Sequence, residues 1–195
     1  MTSLGAGLTT ETPTLLIIAD LGDLPKLSHV KRYVDQLDRV GCVGEAVGRF
    51  RATRWNQPRL SLAAQMRVVG NPSLHVARMR LESPFEVVLT TVADQFSPVA
   101  YGIAGMAVME RIVRLIMDWQ KHRMEINEGA LPRAFRPLVG PEQIARETVE
   151  QAYEGLSGVS DEELAEAIEA ARQPIELLSR VRLTRIESSG TGRST

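Results

Sequence analysis

Apolar residues first gather in a short continuous run, Thr14 to Ala19 (TLLIIA), closed by Asp20, Gly22 and Pro25. A run of that length bounded by turn residues predicts a strand covered on both faces or lying centrally in a sheet. From Leu27 the spacing changes to three and four, through Val30, Tyr33, Val34, Leu37, Val40, Val43, Val47 and Phe50. That is one face of a helix, with Ser28 as its N-cap and Lys31, Arg32, Asp35, Asp38 and Arg39 on the polar side. Gly41, Gly44 and Gly48 weaken the second half, so the helix is expected to end or break near Gly41.

A period of two follows. Leu60, Leu62, Ala64, Met66 and Val68 alternate with Arg59, Ser61, Ala63, Gln65 and Arg67. After Gly70-Asn71-Pro72-Ser73, the residues Ala77, Met79 and Leu81 alternate with Arg78, Arg80 and Glu82. Two alternating runs around a turn predict a β-hairpin. Ser83-Pro84 interrupts the pairing, and Phe85 to Thr91 adds a third strand rich in β-branched and aromatic residues.

Ser97-Pro98 opens the longest predicted helix. It is apolar almost without a break from Val99 to Met109. It then narrows to a stripe at Ile112, Val113, Leu115, Ile116 and Trp119, and stops before Gly129 and Pro132. Beyond a proline-bearing segment, one helix is expected from about Pro141 to Tyr153. A second starts at a capping box, Ser160 to Glu163, with Leu164, Ile168 and Ala171 along one face. Pro174 is expected to kink that helix, or to separate it from another running through Leu178, Val181 and Arg185.

The expected fold is α+β: a two-layer βαβββα core over residues 14–129, with a mainly antiparallel sheet and helices on one face. The flanking parts are a flexible N-terminus (1–13), a Pro-rich linker (130–141), an acidic helical arm (142–187) and a disordered tail (188–195).

Composition narrows the class of protein more than its activity. The chain has 195 residues, 44% apolar and 24% charged, which excludes collagen-like, mucin-like and wholly disordered chains. One cysteine, Cys42, excludes an internal disulfide framework and a cysteine-rich zinc site, and a buried inert thiol is the expectation for it. Residues 1–14 carry neither the basic nor the apolar stretch of a secretory signal, so a bacterial cytoplasm is the expected setting. The uncharged stretch between Asp94 and Glu110 has fifteen residues, short of the roughly twenty that span a membrane. Arginine outnumbers lysine 20 to 3, which reads as codon bias of a G+C-rich genome rather than selection for guanidinium chemistry.

Charge is separated along the chain although the net value is −1. Between Ala46 and Leu81 there are seven arginines and no acid; between Gly140 and Glu176 there are ten acids against Arg146 and Arg172. Arg59, Arg67, Arg78 and Arg80 therefore suggest a basic hairpin face for an anionic partner such as nucleic acid. The acidic region is expected to dock near that face.

Signals for catalysis are weak. The stretch IIADLGDL resembles the start of the class III nucleotide cyclase domain, where such an aspartate binds metal. The resemblance implies a metal- or nucleotide-dependent enzyme using Asp20 and Asp23. It departs from that pattern at Gly22-Asp23-Leu24-Pro25, which supplies no Gly-Phe-Thr, and no second metal-binding aspartate follows. A turn-forming Asp-Leu-Gly-Asp is the simpler reading. His29, His75 and His122 are far apart, and His122 with Glu125 is a single weak pair. No phosphate loop or nucleophile motif occurs, so no cofactor, metal or catalytic residue is assigned.

The leading expectation is a non-enzymatic module that self-associates or binds another protein. The all-round apolar helix would provide the contact through Tyr101, Met106, Met109, Ile112, Ile116 and Trp119.

Overall fold

The TLLIIA run forms strand β1 (Thr14–Asp20), and the period-three-and-four segment forms one helix, α1 (Leu27–Ala52). A short helix α2 (Leu62–Val68), strands β2 (Leu74–Arg80) and β3 (Phe85–Thr91), and the long helix α3 (Val99–Asn127) follow. Helices α4 (Pro141–Tyr153) and α5 (Asp161–Ser179) and strand β4 (Arg182–Ser189) complete the chain. The computed structural model describes residues 13–22, 25–52, 60–68, 74–81, 84–91, 99–128 and 140–189. Most of the predicted N-terminus and linker, the turn at Gly70–Ser73, the Ser97-Pro98 cap and the last six residues lie outside that set.

The class is α+β, with a four-stranded antiparallel sheet in the order β2-β3-β1-β4. Leu15, Ile17 and Ala19 of β1 face inward with Phe85, Val87 and Leu89 of β3 and with Leu183 and Ile186 of β4. This face joins Val30, Leu37, Val40 and Val47 of α1 and Met109, Ile112 and Ile116 of α3 in one core. The opposite face is more open, with Leu16, Glu86, Val88 and Thr90 only part-covered.

Three local expectations are corrected. Segment 60–68 is not a strand: it makes the helical turns of α2, with Leu62 and Ala63 buried and Met66 part-covered. That spacing is helical, Ala, Gln and Met favour helix, and Ser61 Oγ accepts the Ala64 N–H at 3.2 Å as a cap would. The hairpin is therefore β2–β3. Second, α1 does not break at its glycines, because α3 packs directly on Gly44 and Gly48.

Third, the last predicted helix is β4, and residues 142–187 are no appended arm. β4 pairs with β1 along its length, and Ile144, Val149, Ala167, Ala171, Ile175 and Leu178 belong to the common core. Leu183 and Ile186 are three apart, a helical spacing in sequence. A register irregularity at Ile18/Ala19, which skips Thr184, lets both face inward from a strand. Residues 188 and 189, expected in a disordered tail, pair opposite Leu15 and Thr14. Pro174 lies within α5, which continues to Ser179. The capping expectation holds, since the Glu163 N–H donates to Ser160 Oγ at 3.1 Å.

Tyr33 packs edge-on against Phe85, ring centroids 5.6 Å apart, and its hydroxyl is buried with no hydrogen-bond partner among the described residues. Burial raises its pKa far above the ordinary tyrosine value. Tyr33→Phe is expected to stabilise the protein by about 1 kcal/mol at pH 8, because an unpaired buried hydroxyl is removed. Tyr153 is also pushed up, to about 12, by burial and then by its hydrogen bond to Glu163. For a tyrosine raised in the folded state, stability is intact below the unfolded value of 10.0 and falls as pH rises past it. Urea titrations at pH 8 and above pH 10 check both points. A Tyr33→Phe protein that is less stable at pH 8 would mean the hydroxyl is bonded.

Candidate functional site

Strand β2 is the sheet's outer edge, and each side chain from His75 to Arg80 is exposed. Val76 lies opposite Leu89 and Met79 opposite Val87, so both stand on the sheet's inner face. They are three apart yet share that face because the register shifts between Val76 and Arg78, an irregularity that leaves Ala77 as the extra residue. Simple alternation had grouped Ala77 with Met79; nothing in the sequence marks the bulge, so Val76 was missed. Helix α1 meets β3 where Tyr33 packs on Phe85, and a cavity lies between it and Val76 of β2. Val76 is 45% exposed, Met79 38% and Leu81 60%.

A small cavity of about 60 Å³ marks that uncovered margin, between Val34, Leu37, Asp38 and Gly41 of α1 and Val76, Val87 and Leu89 of the sheet. Burial, then the neighbouring Asp35, raises the Asp38 carboxyl above the usual range. One turn along, burial with Asp38 and Glu45 pushes the Cys42 thiol up to about 11, leaving it almost wholly protonated at neutral pH.

The other side of β2 carries His75, Arg78 and Arg80, opposite Thr90, Val88 and Glu86. The four-arginine face expected from the sequence does not form there. Arg67 sits on α2 and pairs with Glu166 of α5 at 2.8 Å, and Arg59 lies outside the described residues. That Arg67–Glu166 pair joins the acidic region to an arginine of the expected basic stripe. The far edge, β4, exposes Arg182, Thr184, Arg185 and Glu187, a charged margin of the kind that discourages strand pairing.

The residues expected to form an interface on α3 are mostly core. Met106 is 2% exposed and Met109, Ile112 and Ile116 are 0% exposed within the single chain. The length of α3 needs no second copy to cover it, because α1, α4 and α5 all pack on it. Tyr101 lies on α3 with its side chain outside the described set, and Trp119 is half-buried at the helix's other end.

Asp20 acts as a turn former. Its Oδ1 accepts the Gly22 N–H at 3.0 Å, and Gly22 has a φ of +86°, which suits glycine. Asp23 lies outside the described residues. Among the described residues no three His, Cys, Asp or Glu side chains converge on one point, and His122 Nδ1 stands 3.9 Å from Glu125. No described helix is long and apolar enough to cross a membrane.

Comparison with protein-family models, with curated proteins and with solved structures finds no match to this chain. The chemistry the described surface offers at β2 is strand addition: backbone donors and acceptors along an edge, with apolar side chains on one side of it.

Proposed function

We propose that the protein is a non-enzymatic, cytoplasmic self-associating module in which the β2 strands of two copies pair antiparallel across a two-fold axis. The exposure of β2 on both faces, beside a sheet otherwise covered on its inner side, carries this reading. With the axis between Ala77 and Arg78, Val76 of one copy opposes Met79 of the other. In that register Arg80 opposes His75, so no arginine directly faces another. Each copy's apolar side chains extend over the gap that α1 leaves beside Val76.

Light scattering across about 1–100 μM tests it, on the micromolar scale suited to a small interface. The wild type should form a dimer. Val76→Glu with Met79→Glu, at positions already exposed, should be monomeric with an unchanged circular dichroism spectrum. Because the two Arg78 side chains come together diagonally beside the axis, the dimer should tighten as salt screens them, the opposite of nucleic-acid binding. A wild type monomeric throughout would overturn the reading.

A further inference from the structure

Of three grooves on the described surface, one differs from the others in charge. The α4–α5 groove sets Arg146 and Arg172 among Glu142, Asp161 and Glu169. The α2–α5 groove sets Arg67 and Arg172 among Glu166, Glu169 and Glu176. Acids outnumber bases in both. The third lies between the C-terminal half of α3 and the α5–β4 turn, with a volume of about 530 Å³. Lys121, Arg123, Arg180 and Arg182 line it against a single acid, Asp118. A surplus of cations on a protein of net charge −1 is a local arrangement, not a consequence of composition.

The groove is also rigidly built. Gln120 Nε2 donates to the carbonyls of Ser179 (2.9 Å) and Val181 (2.6 Å), and its Oε1 accepts the Leu183 N–H (3.0 Å). These bonds tie the turn that carries Arg180 and Arg182 to the helix that carries Lys121 and Arg123. Arg180 is held by Glu176 at 2.8 Å, and Arg182 stands 3.8 Å from Asp20. Lys121 and Arg123 pair with no carboxylate among the described residues. The Arg123 guanidinium lies 5.4 Å from the centroid of the Trp119 ring, while the residue itself is exposed.

We propose that this groove binds a nucleotide unit, an aromatic base carrying phosphate. The base stacks on the outer face of the Arg123 guanidinium, already backed by Trp119, and rests on the adaptable side chains of Met117 and Met124. The phosphate meets Arg182 and Lys121. A carboxylate-rich peptide would use the cations but neither the stacked plane nor the apolar floor, so the nucleotide is the better fit. A free mononucleotide and one residue of a single strand share this chemistry.

Fluorescence anisotropy with a labelled ten-residue oligodeoxyadenylate at about 50 mM salt tests it, with AMP as competitor and a labelled ten-residue polyglutamate as a second probe. The oligonucleotide should bind, more weakly as salt rises. Arg123→Ala and Arg182→Ala, at exposed positions, should each weaken binding roughly tenfold with circular dichroism unchanged. Arg78→Ala with Arg80→Ala should leave it intact, as should the Val76→Glu, Met79→Glu monomer. Competition by AMP assigns the site to free nucleotides; binding of the oligomer alone assigns it to single strands. The proposal is overturned by no binding of either, by binding indifferent to the two groove variants, or by polyglutamate binding as tightly as the oligonucleotide.

Discussion

Gly44→Ala is expected to lower stability by about 2–4 kcal/mol, although the same change in an exposed helix would add up to about 1 kcal/mol. A Cβ at Gly44 would stand 2.5 Å from the Gly105 carbonyl oxygen, and one at Gly105 would stand 2.9 Å from the Glu45 Cα. A Cβ at Gly48 would lie 2.9 Å from the Gly105 nitrogen. These neighbours are backbone atoms, which have no rotamer to change. The helices must move apart, and that strips contacts from Met106 and Met109, which are buried beside the crossing. Glu45, fully buried there and paired with Arg49, would move with them. Gly105→Ala should behave alike, both read as a lower urea midpoint with an unchanged m-value. The sign decides: a stabilised Gly44→Ala protein would mean that α3 does not rest on α1.

Gln120→Ala is expected to cost about 2–4 kcal/mol, since three hydrogen bonds are lost and their backbone partners are left without this side chain. The affected groups, Ser179 O, Val181 O and Leu183 N, span the turn from α5 into β4. Loosening that turn detaches the start of a strand whose Leu183 and Ile186 fill the core beside Ile17. The Leu183 amide should then exchange with solvent much faster than amides of β1, which distinguishes a local release from uniform weakening. Gln120→Glu keeps an acceptor for the Leu183 N–H but sets a carboxylate oxygen against the Ser179 and Val181 carbonyls, so it should cost at least as much as Gln120→Ala. A loss below about 0.5 kcal/mol in Gln120→Ala would mean the turn holds itself.

Local pattern sufficed for β1, β3, α3, α4 and the start of α5, where a single period persists for many residues or a cap marks the boundary. It sufficed too for the α+β class and for Asp20 as a turn former. It failed where the period depends on a neighbour. Over five alternating residues, Leu60 to Val68 fits a strand as well as a short helix, and the packing of α2 against α5 chooses the helix. Leu183 and Ile186 carry helical spacing, and only pairing with β1 across an irregular register turns that spacing into a strand.

The candidate sites were less legible than the fold. The apolar side chains of α3 announce burial, but a sequence does not say whether the same chain or a second copy supplies the cover. Gly44, Gly48 and Gly105 settle it, because the close approach they permit is a property of two helices together. Val76 and Met79 share a face only because β2 bulges, and a cavity stands between Val76 and α1. Lys121 and Arg182 come from distant parts of the chain and meet because Gln120 bonds a turn sixty residues away. Sequence on its own determined which residues avoid water and which segments repeat with a regular period. Tertiary structure decided which surfaces remained, since exposure at any position depends on what the rest of the chain brings to cover it.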